Sequence, residues 1–452
     1  MTPTHRAPAT HFTAVACILI GIFVAIQPAQ AESVAPFARS QAIKWQGTVI
    51  NVQPLMDYYK RQFFKGSWTA RQGLTPHGAE LVQQFSTAAS DGLEPSDYLA
   101  GVPANVNQLT GEQLAAVELY LADATVRYAR DLYGGRTTPA VSEPDIVIAR
   151  KQLDNVALLG SIAKNGAAAV ADRLRPQHAQ YHALRKLLAG AKDAATRQKI
   201  IVNMERWRWL PRDLGDRHVM VNAAAFSMTT VDGGRPVDRR KVIVGQPFHK
   251  TPMFSDNIRY SEFNPTWTIS RNIAGNEILP HLRQDPGYLA KRGYVLYASW
   301  EADAPAMNAA QIDWASVSPK SFPYRIVQPA GPENVLGEVK FLFPNKFHVY
   351  LHDTSSPNLF ANTDRALSHG CIRVDKAMEY AQLLYGLDRN PAANRLGAIV
   401  ASGKTTQVKF LKPIPVHLTY FTLWVNGDGS VASHKDIYGR DKLVGNILFG
   451  RV

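Results

Sequence analysis

Tyr350-Leu351-His352-Asp353-Thr354 and Ser368-His369-Gly370-Cys371-Ile372-Arg373-Val374 bring two histidines and a cysteine within about twenty residues of one another. His352 ends a strongly apolar run 19 positions before Cys371, a gap that fits one strand, a loop and a return to an adjacent strand. In that arrangement the two side chains can meet. A thiol with its ordinary pKa of ~8.5 is mostly protonated at neutral pH, so nucleophilic use needs a base or a cation beside it. A histidine supplies both. Gly370 lets backbone and substrate approach closely, and the amides of Gly370 and Cys371 are placed to face a developing oxyanion. The run therefore reads as a cysteine acyl-transfer site, with Cys371, His352 and Gly370 as its catalytic set.

Working outward, His369 lies two residues from Cys371 and projects from the same face of an extended segment. It reads equally as a loop-shaping residue and as part of the site. Arg373 is suited to a substrate carboxylate or amide, which a guanidinium recognises well. Arg373, His369, Ser368, Tyr350 and Asp353 make up the substrate-binding candidates. Asp353 is also a weak candidate for orienting His352, because its side chain faces away if the strand continues, and a backbone carbonyl does the same work.

The chain has two cysteines, Cys17 and Cys371. Cys17 lies in the apolar run Phe12 to Ile26, which follows Arg6 and precedes Ala29 and Ala31, the layout of a cleavable secretory signal ending at Ala31. The run is short for a permanent membrane span. The expected location is the periplasm, with one thiol left in the mature chain and no internal disulfide. A lone thiol in an oxidising compartment points to a reactive role, against the alternative of an inert buried cysteine. A zinc set of Cys371, His352, His369 and Asp353 lacks paired ligand spacing, so neither a metal nor another cofactor is expected. The formal charge of +13 suits an anionic partner such as cell-wall polymer or envelope lipid. Basic residues are scattered without aromatic interleaving, which argues against nucleic acid.

Further out, residues 32–210 read as a helical scaffold. Leu114, Val117, Leu121, Ala124, Tyr128 and Leu132 mark a helix over Glu112 to Tyr133, stopped by Gly134-Gly135. Pro76 to Asp91, Asp145 to Asn165 and Gln180 to Met204 are further helical stretches. After Pro211 the period changes to short strands, at His218 to Asn222, Phe226 to Val231, Lys241 to Val244, Glu338 to Phe343, Phe347 to His352, Ile372 to Val374 and Val416 to Val425. One helix, Lys376 to Tyr385, interrupts them. The expected fold class is α+β, with a signal at 1–31, the scaffold at 32–210 and a mostly β catalytic domain at 211–400. Residues 268–330 form a capping insertion with a helix at Glu277 to Arg283, and 401–452 are a C-terminal extension packing on either domain.

The Ser368 to Arg373 run, with His352 upstream, resembles the signature of L,D-transpeptidases with a YkuD-type catalytic domain. The similarity extends to Val244-Gly245, Thr251-Pro252, Asn264-Pro265-Thr266-Trp267, Asp285-Pro286-Gly287-Tyr288-Leu289 and Leu336-Gly337 through Phe343-Pro344. Ala89 to Leu93, Gly135-Arg136 and the tail from Pro415 to Tyr438 resemble the large, multi-domain members of Gram-negative envelopes. The resemblance implies that Cys371 attacks the meso-diaminopimelate carbonyl of a donor tetrapeptide on peptidoglycan and releases D-alanine. The thioester then passes to an acceptor stem amine. It also implies acylation of Cys371 by carbapenems and a lid formed by the insertion. Two departures stand out. The peptidoglycan-binding module of large members is missing, since Tyr181 to Arg206 connects the halves directly; this leaves a 1-3 cross-link open beside 3-3. Ile269-Ser270-Arg271 stands where a proline is common. The rival readings are an L,D-carboxypeptidase or cross-link hydrolase using the same site, and a non-catalytic wall-binding scaffold.

Overall fold

The computed structural model describes residues 31–138 and 143–450; the signal at 1–31 falls outside them except for Ala31. Helix Glu112–Gly134 is the post of the N-terminal half, buried nearly all round from Leu114 to Ala122. An all-round apolar helix must be enclosed, and Leu55, Trp68, Phe85 and Leu159 are among the side chains that enclose it. Within it, fully buried Glu118 accepts from the amides of Ser67, Trp68 and Thr69 at 2.7, 2.9 and 2.7 Å and from the Tyr59 hydroxyl at 2.8 Å. Burial still leaves that carboxyl raised above its ordinary range. The amides it claims belong to strand Lys65–Ala70, flanked by Ala31–Ser33 and Gly73–Leu74. A hairpin pairs Ala42–Trp45 with Thr48–Asn51. The scaffold is thus less purely helical than its periodicity implies.

Of the expected helices, one is shortened and another is split at a cap. Asp154 accepts from the amides of Val156 and Ala157, so the helix is Asn155–Asn165. The preceding stretch is held extended by Val147 N–H to Met253 O and Met253 N–H to Asp145 O, at 2.9 and 2.8 Å. Gln180 to Met204 is two helices, Ala179–Gly190 and Ala194–Trp209, because Asp193 caps the second through Thr196 N at 2.8 Å. The second helix binds the halves together. Its buried Glu205 accepts from Thr137 N at 2.8 Å and pairs with Arg208 at 3.0 Å, while Asn203 accepts from Thr422 N at 2.9 Å.

The catalytic half is a nine-stranded sheet in the order Ala366–Ser368, Arg235–Gly245, Ile372–Val374, Leu351–His352, Val339–Leu342, Phe254–Phe263, Thr406–Thr419, His218–Asn222 and Ser227–Asp232. Ser227–Asp232 also pairs with the first part of Arg235–Gly245, so the sheet closes on itself. Helix Ala377–Leu387 packs on the core side, where Tyr380 stacks edge-on with Phe341 at 5.3 Å. Two expectations change here. Thr406–Thr419 is an inner strand between Phe254–Phe263 and His218–Asn222, so the region after residue 400 completes the sheet and does not merely pack on it. The run from Phe347 is a strand only at Leu351–His352, because His348 takes a left-handed backbone (φ 53°).

The insertion has its own core of Ile269, Leu279, Leu282, Leu289, Trp314, Phe322 and Ile326. Its small sheet of Trp267–Thr268, Arg325–Gln328, Val295–Tyr297 and Ala306–Met307 carries helical segments Arg271–Ile273, Ala274–Ile278 and Leu279–Gln284.

Candidate active site

Leu351 pairs in parallel with Ile372, and His352 with Arg373. Leu351 and Ile372 point into the core, fully buried. Alternation along a strand then turns Tyr350, His352, Cys371 and Arg373 to the opposite face. Lys340 is opposite His352 on the other side and forms an ion pair with Glu262 at 2.7 Å. Cys371 and His352 are therefore diagonal neighbours on one face, and both line a cavity of about 570 Å³.

The turn before Cys371 is a hydrogen-bonded unit. Gly370 has φ 110°, which a side chain would strain. Its amide donates to Ser368 Oγ at 3.1 Å, and that hydroxyl donates to Cys371 O at 2.5 Å. The Gly370 amide is thus engaged inside the turn and does not face an oxyanion, contrary to expectation. Buried Thr251 donates its hydroxyl to Gly370 O and accepts from Gly245 N, both at 2.9 Å. Tyr438 and Arg440, from the C-terminal region, hold Thr251 in turn through its amide and carbonyl at 3.2 and 3.1 Å.

Cys371 Sγ donates to His348 O at 3.8 Å, so its resting hydrogen bond is not to His352. Burial pushes the thiol up to about 11, against the opposing pull of the Tyr350 amide and hydroxyl, Arg373 and Lys340. His352, 4% exposed, is driven the other way: burial first, then Arg373, lowers it to about 3. Its Nδ1 donates to Asp353 O at 2.6 Å, which leaves Nε2 as the free acceptor. The resting pair is a neutral thiol and a neutral imidazole.

Asp353 does not line the cavity. Its carboxylate turns away to accept from Glu338 N at 2.9 Å, so its contribution to His352 comes through its backbone carbonyl and not as a substrate contact. Arg373 lines the cavity with its Nε buried and without a partner among the described residues. Such a group is costly unless an acceptor fills the site. Tyr350, Ser368 and His369 line the same cavity.

Trp267, Ser270, Arg271, Ile273 and Trp300 of the insertion roof the cavity, with Arg271 over the Trp300 ring at 4.7 Å. Glu277 of the insertion meets His369 Nε2 at 2.6 Å, closing the roof onto the His-Gly-Cys turn. Arg271, Trp300, Lys340 and Thr251 escaped the residue-level reading. Lys340 had a signal in the Glu338 to Phe343 strand next to the histidine strand, and Thr251 and Arg271 lay in stretches quoted for the family resemblance but were given no role; Trp300 had none.

Comparison with known proteins gives two family matches. Residues 53–188 match a scaffold domain, and residues 216–407 match the YkuD family, an L,D-transpeptidase catalytic domain. A Haemophilus influenzae protein that carries an inferred assignment as an L,D-transpeptidase is 32% identical over 256 residues, 56% of this chain. The chain spans half the length of that relative. Two solved structures, the Ldtfm–avibactam carbamoyl enzyme and an L,D-transpeptidase from Mycobacterium smegmatis, are each 12% identical over 45% of this chain. They are covered to 49% and 58%, and their TM-scores of 0.23 and 0.22 are too low to bear on the fold.

Proposed function

Residues 216–407 being an L,D-transpeptidase catalytic domain, we propose that this chain cross-links peptidoglycan by cysteine acyl transfer in the periplasm. The observation that carries the reading is a neutral base, a thiol and an unpartnered guanidinium on one sheet face under a roof: His352, Cys371 and Arg373. In the first step His352 Nε2 takes the thiol proton as Cys371 Sγ bonds to the meso-diaminopimelate carbonyl of a donor tetrapeptide. The C–N bond to D-alanine breaks, and the same proton passes to the departing amine. Arg373 holds a donor carboxylate beside the reacting carbon. In the second step an amine of a neighbouring stem attacks the thioester, loses its proton to His352, and restores the thiol. The roof limits access of water, which favours an amine over hydrolysis.

Carbapenems acylate the same sulfur in this reading. Export relies on the N-terminal apolar run, and attraction to the wall on the basic surface. Mass spectrometry of muropeptides from tetrapeptide-bearing peptidoglycan tests the proposal, with Cys371→Ala as control. Dimers that depend on Cys371 are expected, and fragmentation distinguishes a diaminopimelate from an L-alanine acceptor. Tripeptides without dimers would make the enzyme a carboxypeptidase, and an unchanged digest would overturn the proposal.

A further inference from the structure

Three strong metal donors from three separate segments converge at the rim of the cavity. His249 lies in the loop after strand Arg235–Gly245, Glu277 on the insertion's Ala274–Ile278 segment, and His369 in the turn before the nucleophile. One ligand atom from each lies within 4.8 Å of the other two. The two imidazole rings are 4.6 Å apart, and Glu277 Oε1 is 2.6 Å from His369 Nε2. Lys250, the basic neighbour of His249, is already engaged by Glu143, so its charge is partly compensated.

We propose that His249, Glu277 and His369 bind one zinc-class divalent cation that clips the insertion to the His-Gly-Cys turn. Two imidazoles and a carboxylate form the donor set that zinc takes when it keeps a fourth position for water. The nitrogen donors favour zinc over magnesium or calcium, which prefer all-oxygen shells. A tetrahedral ion with bonds of about 2.0–2.1 Å needs its donors about 3.3 Å apart. The 2.6 Å contact then opens by under about 1 Å, and wider separations close by at most about 1.5 Å from the 4.8 Å limit. Glu277 and His369 are exposed and His249 is half-buried, so their side chains can make this adjustment. Because His369 lines the cavity, the clip fixes the roof at its contact with the turn that carries Cys371. Bound cation therefore orders the insertion and slows entry to the cleft.

Isothermal titration of Zn²⁺ into Cys371→Ser of the chain from residue 32 onward, which leaves no thiol to ligate the ion, tests the site. One equivalent is expected to bind, with Mg²⁺ and Ca²⁺ silent. Adding His249→Ala or Glu277→Gln should each weaken binding at least about tenfold. Glu277 is exposed, so that variant keeps the test clear of folding defects. Hydrogen exchange of residues 271–284 should slow with Zn²⁺ in Cys371→Ser and not in the His249→Ala double variant. Failure of Cys371→Ser to bind Zn²⁺, or isotherms unchanged by both added substitutions, would overturn the proposal and leave the His369–Glu277 contact a plain hydrogen bond.

Discussion

Alkylation of Cys371 by iodoacetamide is expected to be slow at neutral pH and to climb steeply in alkali. The thiol sits near 11, above the ordinary range of ~8.5 to 9.0. At pH 7 its thiolate fraction is then about 1 in 10⁴, against about 1 in 100 for an unperturbed thiol of that kind. The rate should therefore fall roughly 100-fold below a solvent-exposed cysteine peptide, rise about tenfold per pH unit, and reach no plateau before about pH 10. Rates measured on the tryptic peptide that contains Cys371, from pH 6 to 11, keep Cys17 out of the reading. Carbapenem acylation should behave differently, because it draws on neutral His352 as base. Its rate should stay nearly flat from about pH 6 to 8, and His352→Ala should lower it about 10²- to 10⁴-fold. The residual rate of that variant should recover the tenfold-per-unit slope of a thiolate reaction. An alkylation plateau at or below pH 8 would refute the argument, since it would mean a resting thiolate–imidazolium pair.

Burial of neutral His352 also makes stability depend on acid. Its folded value near 3 lies below the ordinary 6.5, so the unfolded chain takes up the proton first and stability erodes from about pH 6.5 down to 3. Between pH 7 and 5 wild type should lose about 2 kcal/mol more than His352→Gln in urea unfolding; equal losses would contradict the assignment. Thr251→Val keeps the shape but leaves Gly370 O and Gly245 N unpaired, at a cost of about 1–3 kcal/mol each. A lower urea midpoint and slower acylation are expected, with Thr251→Ser close to wild type. Arg373→Gln should raise KM for a tetrapeptide donor roughly 10-fold or more, the loss of a charged hydrogen bond. Amidating the donor's carboxylates should shrink that difference, and an undiminished difference would assign Arg373 another role. Asp353→Asn retains the backbone carbonyl that holds His352 and an acceptor for Glu338 N, so turnover should change by less than about threefold; a large loss would restore a direct role for the carboxylate.

The candidate nucleophile Cys371 and candidate base His352 were legible in the sequence because the chemistry that singles them out is local. A single cysteine outside the N-terminal apolar run, with a histidine 19 positions upstream, leaves few other uses for Cys371. Helix Glu112–Gly134 and the change to short strands after Pro211 were legible for a similar reason, since a buried face repeats with the period of its own element. Only the tertiary structure decided that Thr406–Thr419 lies inside the sheet, because its partners are strands 143–164 and 197 residues away and pairing at that range leaves no local pattern. The same holds for the contact of Glu277 with His369, made across 92 residues. The thiol near 11 and the imidazole near 3 also come from the assembled site, because desolvation sums over every group packed around the sulfur and the ring. Residue identity and spacing named the candidate reacting atoms; their protonation states are set by burial, which no short stretch of chain contains.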